Sequence, residues 1–167
     1  GQGSTPEYIL NYLLEKSGIA DKVEVEYVTS HDELATLAAS GKATISMLPE
    51  PKVTAALTKN ADLRIALNLT AEFEKISGKT LIQGVVIAKK DFVEKNSEAV
   101  KMFLKEYEAS INAANNDIET TSALCEQYGI IPKAPVAKKA IPNCNIAYID
   151  GADMKASVSA NLQIFFD

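Results

Sequence analysis

Residues 43–60 read ATISMLPEPKVTAALTKN, and the fold follows from how this stretch is read. ATISML has the apolar content of a buried strand. PEPKVTAALTKN predicts a helix whose first turn carries Pro49 and Pro51, where fixed φ values and missing N–H groups cost nothing. A strand running directly into a helix is the unit of an α/β fold. Upstream, KVEVEYV (22–28) alternates Val23, Val25 and Tyr27 with Glu24 and Glu26, the pattern of a half-exposed strand. SHDELATLAASG (30–41) predicts a helix with Ser30 as N-cap, Glu33 completing a capping box and Gly41 beyond its end. Downstream, LRIALNL (63–69) and LIQGVVIAKK (81–90) predict further strands, with a short helical turn at AEFEKISG (71–78) between them. Strand, crossover helix and strand at these lengths predict an α/β fold with a largely parallel, right-handed sheet flanked by helices.

The second half predicts helices. In SEAVKMFLKEYEASINAA (97–114), Val100, Phe103, Leu104, Tyr107, Ile111 and Ala114 fall on one stripe. Further helices are expected around IETTSALCEQYG (118–129), around PVAKKA (135–140) and at the end, where Met154, Val158, Leu162 and Phe165 align. The expected organisation is a single α/β domain over 1–167, with a sheet-forming half (1–90) and a mainly helical half (91–167).

The totals narrow the function classes. The 167 residues suffice for one core, and 47% hydrophobic with 23% charged residues is ordinary for a soluble domain. The net charge is −5 and the 17 basic residues are scattered, which argues against a nucleic-acid surface. Arg64 is the single arginine, so no arginine clamp is available to a phosphate or dicarboxylate. No apolar run approaches a transmembrane helix. No signal peptide is legible, and a start within a glycine-rich loop reads as a cut from a longer chain. Cys125 and Cys144, nineteen positions apart, belong to no CxxC and have only His31 as a companion ligand type. They read either as a disulfide or as two half-buried thiols.

The opening GQGSTPEYIL raises the question of ligand binding. Gly1 and Gly3 permit positive φ, Ser4 and Thr5 are N-cap residues, Pro6 suits the first helical position and Glu7 the first turn. The N–H groups of such a helix start point into the loop and favour negative charge. Two other stretches sit where strands are expected to end. In SMLPEP, Glu50 is placed at a helix start, either as a dipole partner or as an acceptor for a donor-rich ligand. In IPNCNIAY, Asn143 and Asn145 read as turn residues or as amide contacts to a small polar ligand. No catalytic set emerges. His31 reads as a solvated surface histidine, Ser4 has no His–Asp partners, and neither a Walker A nor a GxGxxG motif is present. No metal-spaced cluster and no cofactor motif appears. The residues point to holding a molecule rather than converting one.

GQGSTPEYILNYLLEKSGI, ISMLPEPKVTAAL and QGVVIAKKDFVEKNSEAVKMFLKEY resemble segments of ABC-transporter solute-binding proteins. The branch resembled includes the aliphatic sulfonate, nitrate and thiamine-pyrimidine binders, with the type II periplasmic binding protein fold. The resemblance implies two α/β lobes joined by a hinge, with this chain similar to the second lobe and the first absent. It implies that Gly3, Ser4 and Thr5 with Leu48, Pro49 and Glu50 line the cleft, with Gln83 and Asn145 as further ligand contacts. It implies an extracytoplasmic lipoprotein that traps a small polar ligand (a sulfonate, a nitrate-like anion, an amine or a pyrimidine) by hinge closure. The implied partner is an ABC permease, with a membrane contact only through a lipid anchor, no cofactor and no catalysis. Two other readings belong to the same architecture: the effector-sensing domain of a transcription regulator, and a pyrimidine-synthase-like enzyme.

Overall fold

The computed structural model describes residues 2–166; Gly1, in the glycine-rich opening, lies outside them. Nine α-helices are assigned among these residues: α1 (Thr5–Lys16), α2 (His31–Ala39), α3 (Lys52–Lys59), α4 (Leu69–Ser77), α5 (Lys90–Lys95), α6 (Ser97–Asn116), α7 (Ile118–Gln127), α8 (Ala134–Ala140) and α9 (Gly151–Phe166). Single 3₁₀ turns occupy Ala20–Lys22 and Ile141–Asn143.

The expected parallel sheet is absent: no strand occurs among the described residues, so the α/β expectation is corrected to an all-helical one. The stretches read as strands, 22–28, 43–48, 63–69 and 81–90, form irregular or bent connections between helices, apart from Lys22 in a 3₁₀ turn and from Leu69 and Lys90, which begin α4 and α5. The reason is physical. Alternating apolar and β-branched residues suit a pleated, half-buried surface, but a strand exists only with a backbone partner and something to pack on. These stretches have no ladder, and several of their apolar side chains stay in solvent: Ile45 is 93% and Ile87 88% exposed.

The helices follow local signals closely. In α2, the Ser30 hydroxyl accepts from Glu33 N–H at 3.1 Å, and the Glu33 carboxylate accepts from Thr29 N–H at 3.1 Å. This is a capping box displaced by one residue at its return arm. α1 ends where Ile19 N–H reaches back to Leu14 C=O at 3.1 Å, a closure that Gly18 permits at φ +65°. Asn68 caps α4 by accepting from Ala71 N–H at 3.2 Å, and Asp117 caps α7 by accepting from Thr120 N–H at 3.0 Å.

The chain divides into two compact units. The first comprises residues 1–27, 65–87 and 149–167. Its core is Ile9 and Leu13 of α1 against Phe73 of α4, with Tyr12, Leu69, Leu81, Ile164 and Phe165 around them. Ile9 and Leu13 meet Phe73 because residues four apart share one helix face. Phe73 is fully buried, and the Tyr12 ring lies 5.6 Å from its centroid. α9 departs from its expected stripe. Leu162 is 60% exposed, whereas Asn161 is buried, because its amide serves the backbone of residues 80–82.

The second unit comprises residues 28–64 and 88–148. α2 and α3 lie side by side, with the small residues Ala38 and Ala56 buried. They run in the same direction. Lys52 at the start of α3 pairs with Asp32 at the start of α2, and Asn60 beyond α3 donates to the carbonyl of Ala39, the last residue of α2, at 3.0 Å. α7 and α8 form an antiparallel hairpin, joined by Ala134 N–H donating to Glu126 at 2.9 Å and by the Lys138–Glu119 ion pair. Their core is Ile131, Ala137 and Ile141, against which Ile118, Cys125, Val136 and Ile146 pack. Cys125 sits in the last turn of α7 and Cys144 follows the turn after α8; both are free thiols. On α6, Ile111 is buried as expected, but Phe103 and Tyr107 stack on each other at the surface, 5.6 Å apart.

Candidate functional site

The sequence-derived residues sort by unit: Gly3, Ser4, Thr5 and Gln83 lie in the first, Leu48, Pro49, Glu50 and Asn145 in the second. In the first unit, Gly3 takes φ +72°, and a Cβ built there would meet nothing within 4 Å. Its left-handed backbone, rather than lack of space, favours glycine. Ser4 is the N-cap of α1 in an extended conformation, and its carbonyl accepts from Glu7 N–H at 3.0 Å. Thr5 is the first helical residue.

The N-terminus of α1 carries its own anion. The Glu7 carboxylate accepts the Gly3 N–H through Oε2 and the Tyr27 hydroxyl, at 2.7 Å, through Oε1. These two donors hold the Glu7 carboxyl below its ordinary range, the Gly3 contact having the larger effect. The same bond to Glu7 raises the Tyr27 phenol. Glu7 thereby ties the glycine loop to the 23–28 connection. Tyr27 is a contact that its apolar alternation in KVEVEYV does not reveal; only its hydroxyl marks it. Gln83 is exposed in the 81–89 connection.

In the second unit, the peptide bond between Glu50 and Pro51 is cis, and α3 starts at Lys52. Glu50 faces the first turn of that helix. Oε2 accepts from Thr54 N–H at 3.1 Å and Oε1 from the Thr54 hydroxyl at 3.0 Å. Thr54 is buried, a partner that sequence patterning does not distinguish from any helical threonine. Leu48 and Glu50 are half-buried and Pro49 exposed. Two positions earlier, the Ser46 hydroxyl oxygen is shielded from solvent without a hydrogen-bond partner. Asn145 is exposed and adopts φ +51°, a left-handed backbone that asparagine tolerates better than most residues. Neighbouring Asn143 donates to the Lys139 carbonyl at 3.3 Å, as a turn residue does. The thiol of Cys144 donates to the Ala140 carbonyl at 3.3 Å, and burial, with Glu50 and Cys125 adding to it, pushes the thiol up. A raised thiol is a poor nucleophile.

His31 is the exposed first residue of α2. Among the described residues no group of three or more His, Cys, Asp or Glu is arranged to hold a metal ion. No helix among them is long and apolar enough to cross a membrane. An open groove of about 230 Å³ in the first unit is lined by Asn11, Leu14, Glu15, Ala20, Val23 and Val25. Its size falls below that of an ordinary small-molecule pocket. In each unit, a carboxylate at a helix start can accept hydrogen bonds: Glu7 in the first and Glu50 in the second.

No protein-family model and no curated protein matches this sequence. The structure is similar to the crystal structure of an ABC transporter from Parabacteroides distasonis, with a TM-score of 0.71 and 21% identity. The match covers 99% of this chain and 57% of that one, so this chain spans little more than half its length. At this identity the likeness is one of fold: the path of the chain is shared with a protein described as an ABC transporter.

Proposed function

We propose that the chain is a binding portion of an extracytoplasmic substrate-binding protein that serves an ABC importer, of the sulfonate, nitrate and thiamine-pyrimidine branch. The observation that carries the reading is the fold shared with a protein described as an ABC transporter over 99% of this chain. The GQGSTPEY and LPEP segments, which resemble those of solute-binding proteins, add to it. The role is one of holding a small polar molecule for delivery to a permease, without catalysis. Each unit offers its own proposed polar contacts: the hydroxyls of Ser4 and Thr5 in the first, and the remaining lone pairs of Glu50 in the second, where a carboxylate oxygen holding one donor can accept another. Closure of the whole protein around the ligand would follow from contacts made better in the closed state than in the open one.

The test is an amide chemical-shift titration of the isotopically labelled chain with methanesulfonate, nitrate, a pyrimidine and a primary amine. Saturable shifts concentrated at Gly3 to Thr5 or Leu48 to Glu50 are expected, with dissociation constants on the order of 1 mM for a partial site. Shifts centred elsewhere, or none with any of the four, overturn the reading.

A further inference from the structure

We infer that residues 83–87, QGVVI, present an open hydrogen-bonding edge that pairs with the same run of a second copy of this chain.

The run lies within the first unit and belongs to no helix. It contains no charge and no proline, and Lys89 and Lys90 follow it closely. Val85 and Val86 are 53% and 56% exposed, and Ile87 is 88% exposed. The backbone is equally open. Asn161 satisfies the Thr80 carbonyl and the Ile82 N–H, and the pairing stops there. Among the described residues, no hydrogen bond reaches the backbone groups of 83–87. β-Branched side chains beside an unpaired row of N–H and C=O groups are a template for strand addition.

The other stretches of β-type sequence are blunted. KVEVEYV carries Glu24 and Glu26, and LRIALNL carries Arg64, charges that oppose edge-to-edge pairing. ATISML is uncharged but exposes one large apolar side chain, Ile45.

The bare backbone selects the occupant. A lipid tail or an apolar helix would cover the side chains while leaving N–H and C=O groups desolvated and unpaired, which is costly. A strand with a free edge of its own meets both needs, and a second copy of 83–87 is such a strand. Charge sets the direction. Antiparallel pairing centred on Val85 places Gln83 opposite Ile87 and sends the Lys89–Lys90 pairs of the two copies to opposite ends. Parallel pairing would bring those lysines together.

The experiment is sedimentation velocity on the chain from about 5 μM to about 500 μM. A reversible monomer–dimer equilibrium is expected, with a dissociation constant on the order of 100 μM, since a short two-stranded contact is weak. Val86→Lys places a charge on the edge and should weaken the dimer at least about tenfold. Ile45→Lys, at an equally exposed apolar position in the second unit, should leave it unchanged. Amide hydrogen exchange on the wild type needs no variant: protection within 83–87 should rise with protein concentration. A monomer at every concentration overturns the inference. So do open-ended aggregates, a dimer that Val86→Lys leaves intact or Ile45→Lys weakens equally, and exchange at 83–87 that is indifferent to concentration. A monomer whose 83–87 amides become protected only on adding phosphatidylcholine vesicles gives the run to a lipid surface instead, and overturns it too.

Discussion

The carboxamide of Asn161 in α9 holds the backbone of Ile82, seventy-nine positions earlier: Oδ1 accepts the Ile82 N–H at 3.0 Å, while Nδ2 donates to the Thr80 carbonyl at 2.7 Å. The same Nδ2 also reaches Ser157 C=O at 2.9 Å, one turn back along its own helix. One buried side chain thus gives residues 80–82 the donor and acceptor that a neighbouring strand would have supplied.

Replacing Asn161 with Leu keeps the volume and removes those bonds. Two backbone groups then lose their partners beside a residue that is 2% exposed. Each such loss costs about 1–3 kcal/mol, so a destabilisation of about 2–6 kcal/mol is expected from urea unfolding. A cost under about 0.5 kcal/mol would show that water replaces the amide without penalty.

Phe73 tests the other anchor of the first unit. It is fully buried against Ile9, Leu13 and Tyr12, and Phe73→Ala leaves a cavity between α1 and α4. The expected loss is about 3–5 kcal/mol, read by denaturant or thermal unfolding.

Ser46 predicts the opposite sign. Its shielded hydroxyl has no partner, so Ser46→Ala removes an unmet desolvation cost and should stabilise by up to about 1 kcal/mol. A clear loss of stability would mean that the hydroxyl is hydrogen-bonded in solution.

The Glu7–Tyr27 bond makes stability depend on pH at both ends. Glu7 titrates below its ordinary range, so its contribution is present above its unfolded-state pKa and is lost as pH falls through the lower folded value. Tyr27 titrates above its ordinary range, so its contribution is present below its unfolded-state pKa and is lost as pH rises through the higher folded value. Tyr27→Phe should move the Glu7 carboxyl part of the way back up, since the Gly3 contact remains. The carbon-13 shift of the Glu7 carboxyl against pH measures this, and an unchanged titration would show that the phenol does not donate to it.

The helices were legible because their signals lie within a turn or two of each other. Ser30 and Glu33 foretell the start of α2, and Gly41, at φ +73°, lies beyond its end as expected. The sheet was misread because alternation in KVEVEYV or LRIALNL records a suitability for pairing, which local sequence cannot convert into a pair. The candidate site was legible only as loops. That Glu7 also takes the hydroxyl of Tyr27, twenty positions away, no local pattern shows, and the hold of Glu50 on Thr54 depends on the backbone path into α3.

By itself, then, the amino-acid sequence determined the helical character of α1 to α3 and of most of the second half, the cap that starts α2, and the absence of an arginine clamp. These follow from capping, periodicity and composition, which act over a few residues. Tertiary structure alone decided that the apolar connections run without a ladder, that Asn161 rather than Leu162 turns inward, and that both helix-start carboxylates are already engaged. The Asn161 and Glu7–Tyr27 contacts are long-range pairings of polar groups, and that of Asn161 is set by which backbone groups are left to be satisfied once the helices have packed.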